Sequence, residues 1–303
     1  MSIATRTARE VTAGAIDTGR SRERNPASIA FLIGLWFSLF FGVMVLVVLI
    51  IDTIVSGSPR FDAALLFDYG SRVRPEETGF RAGILGSAWL MLMTALMAVP
   101  LGIAAAIYFE EFANGNRWYN RLLEVNLQNL AAVPSIVYGL LAVAVMALLG
   151  FERKGIVLGG AIALALLILP VIIITTREAL RAVPQEIREG SYALGATTWQ
   201  TTWRQTLPSA VPGIATGTIL GLSRAIGEAA PLLLLGLAVN PRFDPEGVLS
   251  YITALPIQIY RLSSESRAEF QEAASAGIIV LLVMILGLNA LAIFIRNKFQ
   301  RSW

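Results

Sequence analysis

The sequence contains no cysteine and no histidine. Disulfides, thiolate nucleophiles, haem ligation and zinc sites built on either residue are therefore excluded. Only two lysines occur, Lys154 and Lys298, and neither follows the glycine-rich spacing of a phosphate-cradling loop, so ATP hydrolysis by the P-loop route is excluded too. Charge is scarce: Asp, Glu, Lys and Arg make up 15% of the 303 residues, and the net charge of +3 is spread over loops and tails. No basic patch with interleaved aromatics forms, so nucleic acid is not an expected partner. Apolar surface is in excess instead. With 55% hydrophobic residues and a mean hydropathy of +0.66, the chain has more than one soluble core needs to bury. It reads as an all-α, polytopic membrane protein.

A bilayer core of about 30 Å needs about 20 apolar residues at 1.5 Å each. Six stretches meet that test, near 28–51, 82–109, 125–149, 156–176, 209–239 and 273–295. All but the fifth lack Asp, Glu, Lys and Arg. The first follows a tail, 1–27, that carries Arg6, Arg9, Arg20, Arg22 and Arg24. Its apolar run is too long for a signal peptide and has no small-residue cleavage site, so it is expected to remain as an uncleaved helix over about 28–55. With six spans, the tails and the loops after spans two and four carry fourteen basic residues against nine on the opposite side. The positive-inside bias then puts both termini in the cytoplasm.

The long inner loop between Thr176 and Ser209 reads as two short helices. The first, Gln185–Leu194, follows Pro184, and Gly195 can take the left-handed conformation that ends it. The second, Thr197–Thr206, is expected to stop at Pro208 and shows Trp199, Trp203 and Leu207 at four-residue spacing. Glu189, Gly190, Ser191, then Gly195, Ala196 and Thr197, then Gln205, Thr206, Leu207 and Pro208 keep the spacing of the EAA loop of ABC importer permeases. Gly190 and Ser191 replace the usual alanines and Gln205 the usual isoleucine. This resemblance implies a type I ABC importer permease fold over about 82–296, with the coupling loop near 184–208 seated on an ATPase subunit. From the residues alone, a solvated helical hairpin remains the other reading.

Span five carries Arg224 near its midpoint and Glu228 one turn later, on the sector that also holds Gly213, Gly217 and Gly221. An arginine at that depth costs about 2.5 to 3.5 kcal/mol, so both charges must face protein or water rather than lipid. Two readings follow. The pair can satisfy itself and hold two subunits in register. Alternatively the guanidinium is a transient fork for an anion with several oxygens, and the carboxylate keeps that site from binding too tightly. In span three, Pro134 implies a kink, Tyr138 an interhelical hydrogen bond, and Ser135 either such a bond or a donor lining the path.

The run Ser223-Arg224-Ala225-Ile226-Gly227-Glu228-Ala229-Ala230-Pro231-Leu232-Leu233 resembles the matching helix of phosphate permeases, as does Val133-Pro134-Ser135-Ile136-Val137-Tyr138-Gly139-Leu140. The Arg-Ala-x-Gly-Glu core is shared with sulfate and molybdate permeases, and the flanking residues favour phosphate. The resemblance implies a non-catalytic transport subunit of the cell inner membrane with no cofactor or metal of its own. Its substrate path would include Arg224, Glu228 and Ser135. Its implied partners are a second homologous permease subunit, two ATPase subunits that use ATP and Mg, and an extracytoplasmic phosphate-binding protein. A proton-coupled secondary anion transporter is the competing class. It would explain the charged pair but not the inner loop, and no chain of intramembrane carboxylates accompanies it.

Overall fold

A computed structural model describes residues 26–113, 117–237 and 242–299, so the arginine-rich tail lies outside the described residues. Among the described residues the regular structure is helical, apart from one isolated bridge between Ile156 and Tyr251. Two compact units are distinguished, 1–52 and 53–303. The first holds most of helix α1 (Pro26–Gly57), apolar on every face, as a helix made for lipid is.

In the second unit, α2 (Ala63–Phe67) and a short turn at Pro75–Glu77 form a cap ahead of α3 (Arg81–Ile107). Asp62 starts α2 by accepting a hydrogen bond from the Leu65 amide at 2.8 Å. Arg60 is buried and donates to the carbonyls of Pro75 and Thr78.

Helix α3 runs into a wide π turn, Tyr108–Phe112. After it come α4 (Trp118–Ala131) and α5 (Ser135–Leu148), which meet at 114°. The expected third span over 125–149 is therefore corrected: it is two helices, not one kinked helix. Pro134 lacks an amide hydrogen and sits at φ −55°, ψ 136°, so the chain leaves the helix there.

Helix α6 (Val157–Arg181) is the buried centre, with the residues from Gly159 to Ala165 among its core members. It packs against α3 and against α9 (Leu207–Ile226). Between them lie α7 (Gln185–Ala193), α8 (Thr198–Thr201) and a second π turn, Thr202–Thr206. The stop expected at Pro208 does not occur. Pro208 sits in the first turn of α9, where its missing amide is no loss, and the π turn carries the chain straight into that helix.

The fifth span was expected over 209–239, but α9 ends at Ile226, and only a short α10 (Ala230–Leu234) follows. Past the second gap in the described residues, α11 (Leu255–Ser263) lies between the fifth and sixth expected spans and buries six of its nine residues. Gly83 and Gly86 of α3 leave room for it: a Cβ on Gly83 would meet the Gln258 side chain and one on Gly86 the Thr253 carbonyl. The long α12 (Ala268–Phe299) closes the fold.

Among the described residues four helices, α1, α3, α6 and α12, are long and apolar enough to cross a bilayer, and the bent α4–α5 pair makes a fifth if counted as one. Helix α9 is diluted by Ser209, Thr216, Thr218, Ser223 and its glycines. A count of six therefore depends on α9 and α10 crossing together.

Candidate functional site

Helix α9 lies close along α6 through its glycines. A Cβ on Gly213 would stand 2.6 Å from that of Ala179, one on Gly217 would strike the Thr175 side chain, and one on Gly221 would touch Ile172 at 3.4 Å. Arg224 sits in the last turn of α9, about 26 Å along the helix from Leu207 at 1.5 Å per residue. Glu228 lies beyond the helix end. The expectation that one continuous helix carries Arg224 and, a turn later, Glu228 is corrected: the pair bridges a break. Its Nε to Oε1 distance is 3.5 Å, with side-chain exposures of 45% and 22%. Among the described residues this is the one ion pair of Arg224. A guanidinium has five donors, so most of its capacity faces open space.

The second broken segment meets the first. Gly139 of α5 lies against the backbone of Pro231 in α10. Ser135, half-buried, occupies the first position of α5, one turn before Gly139. Tyr138 turns inward, and its hydroxyl donates to the Leu130 carbonyl at 2.6 Å, capping the end of α4. That is the interhelical hydrogen bond expected of it. The Gly139–Pro231 contact thus joins the two breaks, with Ser135 one turn before Gly139 and Glu228 three residues before Pro231. The neighbouring α12 brings Asn289, hydrogen-bonded to Ser223, beside Arg224, and its Arg296 donates to Thr216 Oγ1 at 3.0 Å, about 12 Å back along α9.

At the other end, the Gln185–Thr206 segment has the expected two-helix form. Gly195 takes φ +82°, and the amides of Gly195 and Ala196 bond to the carbonyls of Tyr192 and Ser191, closing the end of α7. Thr197 and Gln200 cap α8 reciprocally. Ser191 and Thr201 share a hydroxyl hydrogen bond of 2.9 Å that folds α7 back on α8. Glu189 and Gly190 are exposed, and Leu194 is 90% exposed. Trp199 packs at a tilt against Trp203 and Phe112, yet both tryptophans remain exposed. Leu207 and Pro208 begin α9 and join the segment to the helix bearing Arg224.

An ionic cluster beneath this segment was not anticipated. Glu110 and Glu111 stand side by side in the π turn of α3. Glu110 receives Arg177 at 3.3 Å and Arg181 at 2.7 Å, and Arg177 also reaches Glu124 of α4 at 2.7 Å. Glu111 receives Arg188 of α7 at 2.9 Å. In the sequence these arginines count only toward the inner positive charge. The adjacent carboxylates closing an apolar run were the signal available, and the π turn that aims them at different helices left none.

With this geometry in view, the comparisons are decisive. The family model of the binding-protein-dependent transport system inner membrane component matches residues 98–303. The chain belongs to that family. The phosphate transport system permease protein PstA of Yersinia pestis is 33% identical over 263 residues, covering 86% of this chain and 88% of that protein. The protein of the same name from Mycobacterium leprae is 34% identical over 280 residues, 89% and 88% of the two chains. Among solved structures, an inward-facing MetNI methionine ABC transporter aligns over 73% of this chain and 97% of its own, at a TM-score of 0.56 and 18% identity. A bacterial alginate ABC transporter aligns over 90% and 99% at 0.55 and 15% identity. Both establish the fold, that of type I ABC importer permeases. The permease is accordingly a multi-pass membrane component, and its relatives are transport subunits rather than enzymes.

Proposed function

We propose that this chain is one of two permease subunits in an ATP-driven importer of inorganic phosphate, with both termini in the cytoplasm and six crossings once α4–α5 and α9–α10 are each counted as one. The observation that carries the reading is the family: relatives named phosphate transport permeases match at about a third identity over more than four-fifths of the chain. The open guanidinium of Arg224 at a double helix break supports it.

In this reading, 82–296 is the permease domain, 28–55 an added membrane helix and 1–27 a cytoplasmic tail. Glu189, Gly190, Ser191, Gly195, Ala196 and Thr197 present the coupling segment to one of two ATPase subunits, which bind ATP and Mg. Leu207 and Pro208 pass its motion into α9. An extracytoplasmic binding protein delivers phosphate, which meets Arg224 as a forked donor and Ser135 as a hydroxyl donor. Glu228 competes for the same guanidinium and so permits release. The chain itself hydrolyses nothing. Transport is driven because ATP-bound and nucleotide-free ATPase states favour different arrangements of the two permeases.

The experiment is ATP-dependent uptake of labelled phosphate, sulfate and molybdate into vesicles holding the complete complex, wild type against Arg224→Gln. Phosphate uptake that the substitution abolishes in an assembled complex is expected. Uptake driven by a proton gradient without ATP would sink the importer reading, a sulfate or molybdate preference would change the substrate, and survival of uptake in Arg224→Gln would make that residue a packing element.

A further inference from the structure

We infer that Arg188 and Glu111 form the joint through which movement of α7 reaches α3, so that this pair sets how much transport each ATP turnover yields. The inference rests on the importer reading above and goes beyond it, because among the described residues none of the coupling residues named so far has a hydrogen bond or ion pair to α3.

The chemistry of the joint is specific. Helix α7 follows α6 through the short linker Ala182–Pro184, so the chain itself already ties the coupling segment to α6. Helix α3 lies far away in sequence. Among the described hydrogen bonds and ion pairs, Arg188 Nη2 to Glu111 Oε1, 2.9 Å long, is the one that crosses from α7 to the end of α3. It is also the most enclosed ion pair of the ionic cluster, with side-chain exposures of 17% and 6%. The same guanidinium donates to the carbonyls of Leu180 at 2.8 Å and Val183 at 3.3 Å, so it closes the end of α6 while holding α3. Three elements therefore meet on one planar group whose donors are fixed relative to one another. A dry, multidentate contact of this kind carries displacement, whereas an exposed pair on flexible stems would absorb it. The π turn matters here, since its wide spacing turns Glu111 toward α7 while Glu110 stays on the arginines of α6. Arg188 is on this view a positioning residue, with no contact to phosphate or to nucleotide.

Glu111→Gln separates the two duties, because the carbonyl contacts of Arg188 survive and the ionic link to α3 does not. In vesicles holding the whole complex, ATP turnover is expected to stay within about twofold of wild type while phosphate carried per ATP falls at least fivefold. Arg188→Lys, which keeps the charge and loses the fork, should fall between. Since the natural chain has no cysteine, Glu111→Cys with Arg188→Cys can be joined by a short bis-maleimide, and joining is expected to restore the phosphate-to-ATP ratio. Uptake and ATP turnover falling in proportion, or a bridged pair no better coupled than the unbridged one, would overturn the inference. A wild-type complex that splits ATP but moves no phosphate overturns the phosphate reading first, and the joint with it.

Discussion

A Cβ placed on Gly139 would stand 2.7 Å from the carbonyl oxygen of Pro231 and 2.8 Å from its Cα. Helix α5 therefore touches the backbone of α10 at the one position where no side chain intervenes. Both partners follow a break, the first at Pro134 and the second between Ile226 and Ala230. The contact holds the two breaks together.

Gly139→Ala should consequently force the helices apart, because backbone cannot give way as a flexible side-chain tip can. A destabilisation of about 1 to 3 kcal/mol is expected from overpacking. It should appear as a lower Tm of the purified complex and as a loss of uptake. Gly287→Ala is the control. A Cβ there meets nothing within 4 Å, so the change should be neutral or stabilising by up to about 1 kcal/mol. Equal effects at the two sites would disprove the packing account.

Gly195→Val tests the turn between α7 and α8. At φ +82° a β-branched residue is strained by about 1 to 2 kcal/mol, and since a Cβ at Gly195 meets nothing within 4 Å the cost is conformational alone. Transport per ATP should fall with Val, and Gly195→Asn should retain most of it because asparagine tolerates the left-handed region. A Val variant with wild-type coupling would remove the segment from the coupling path.

Much of the architecture was legible because hydropathy and turn chemistry are local. The apolar runs of α1, α3, α6 and α12 are unbroken by charge, and Gly195 after Leu194 announced the end of α7. What misled was also local in origin. Pro134 signals a kink, but its size depends on Tyr138 capping Leu130 and on Gly139 meeting Pro231, which are tertiary contacts. Helix α11 has a polar composition in parts, with Gln258 and Arg261, and its burial follows from Gly83 and Gly86 on a distant helix. For the candidate site, residue types pointed to Arg224 and Glu228 correctly as neighbours. That a helix end separates them follows from the short α10 and could not be read from a hydrophobic run that continues through it.

Glu228→Gln addresses the balance at Arg224. Without the carboxylate, nothing charged among the described residues competes with an anion for the guanidinium. Phosphate should be held longer, so the KM for uptake should fall together with kcat, each by roughly an order of magnitude, or about 1.4 kcal/mol. A raised KM at unchanged kcat would show that Glu228 helps to hold phosphate rather than to release it.

The segment ahead of α3 offers a test by pH. Arg81, at the start of α3, forks onto Asp244 with N–O distances of 2.5 and 3.1 Å. The hydrogen bonds from Arg81 hold the Asp244 carboxyl below its ordinary value, and a hydrogen bond from Tyr69 acts in the same direction, against a smaller opposing effect of burial. A carboxyl whose folded-state pKa is depressed stabilises the fold fully above the unfolded value of about 3.9, and that contribution is lost as pH falls through the lower folded value. The Tm difference between wild type and Asp244→Asn should therefore be constant from pH 7 to pH 5 and shrink only in acid. It should be small and should diminish with added salt, since both side chains are partly exposed. A difference that instead changes between pH 5 and pH 7 would mean that another titrating group, not the Arg81–Asp244 pair, tethers this loop.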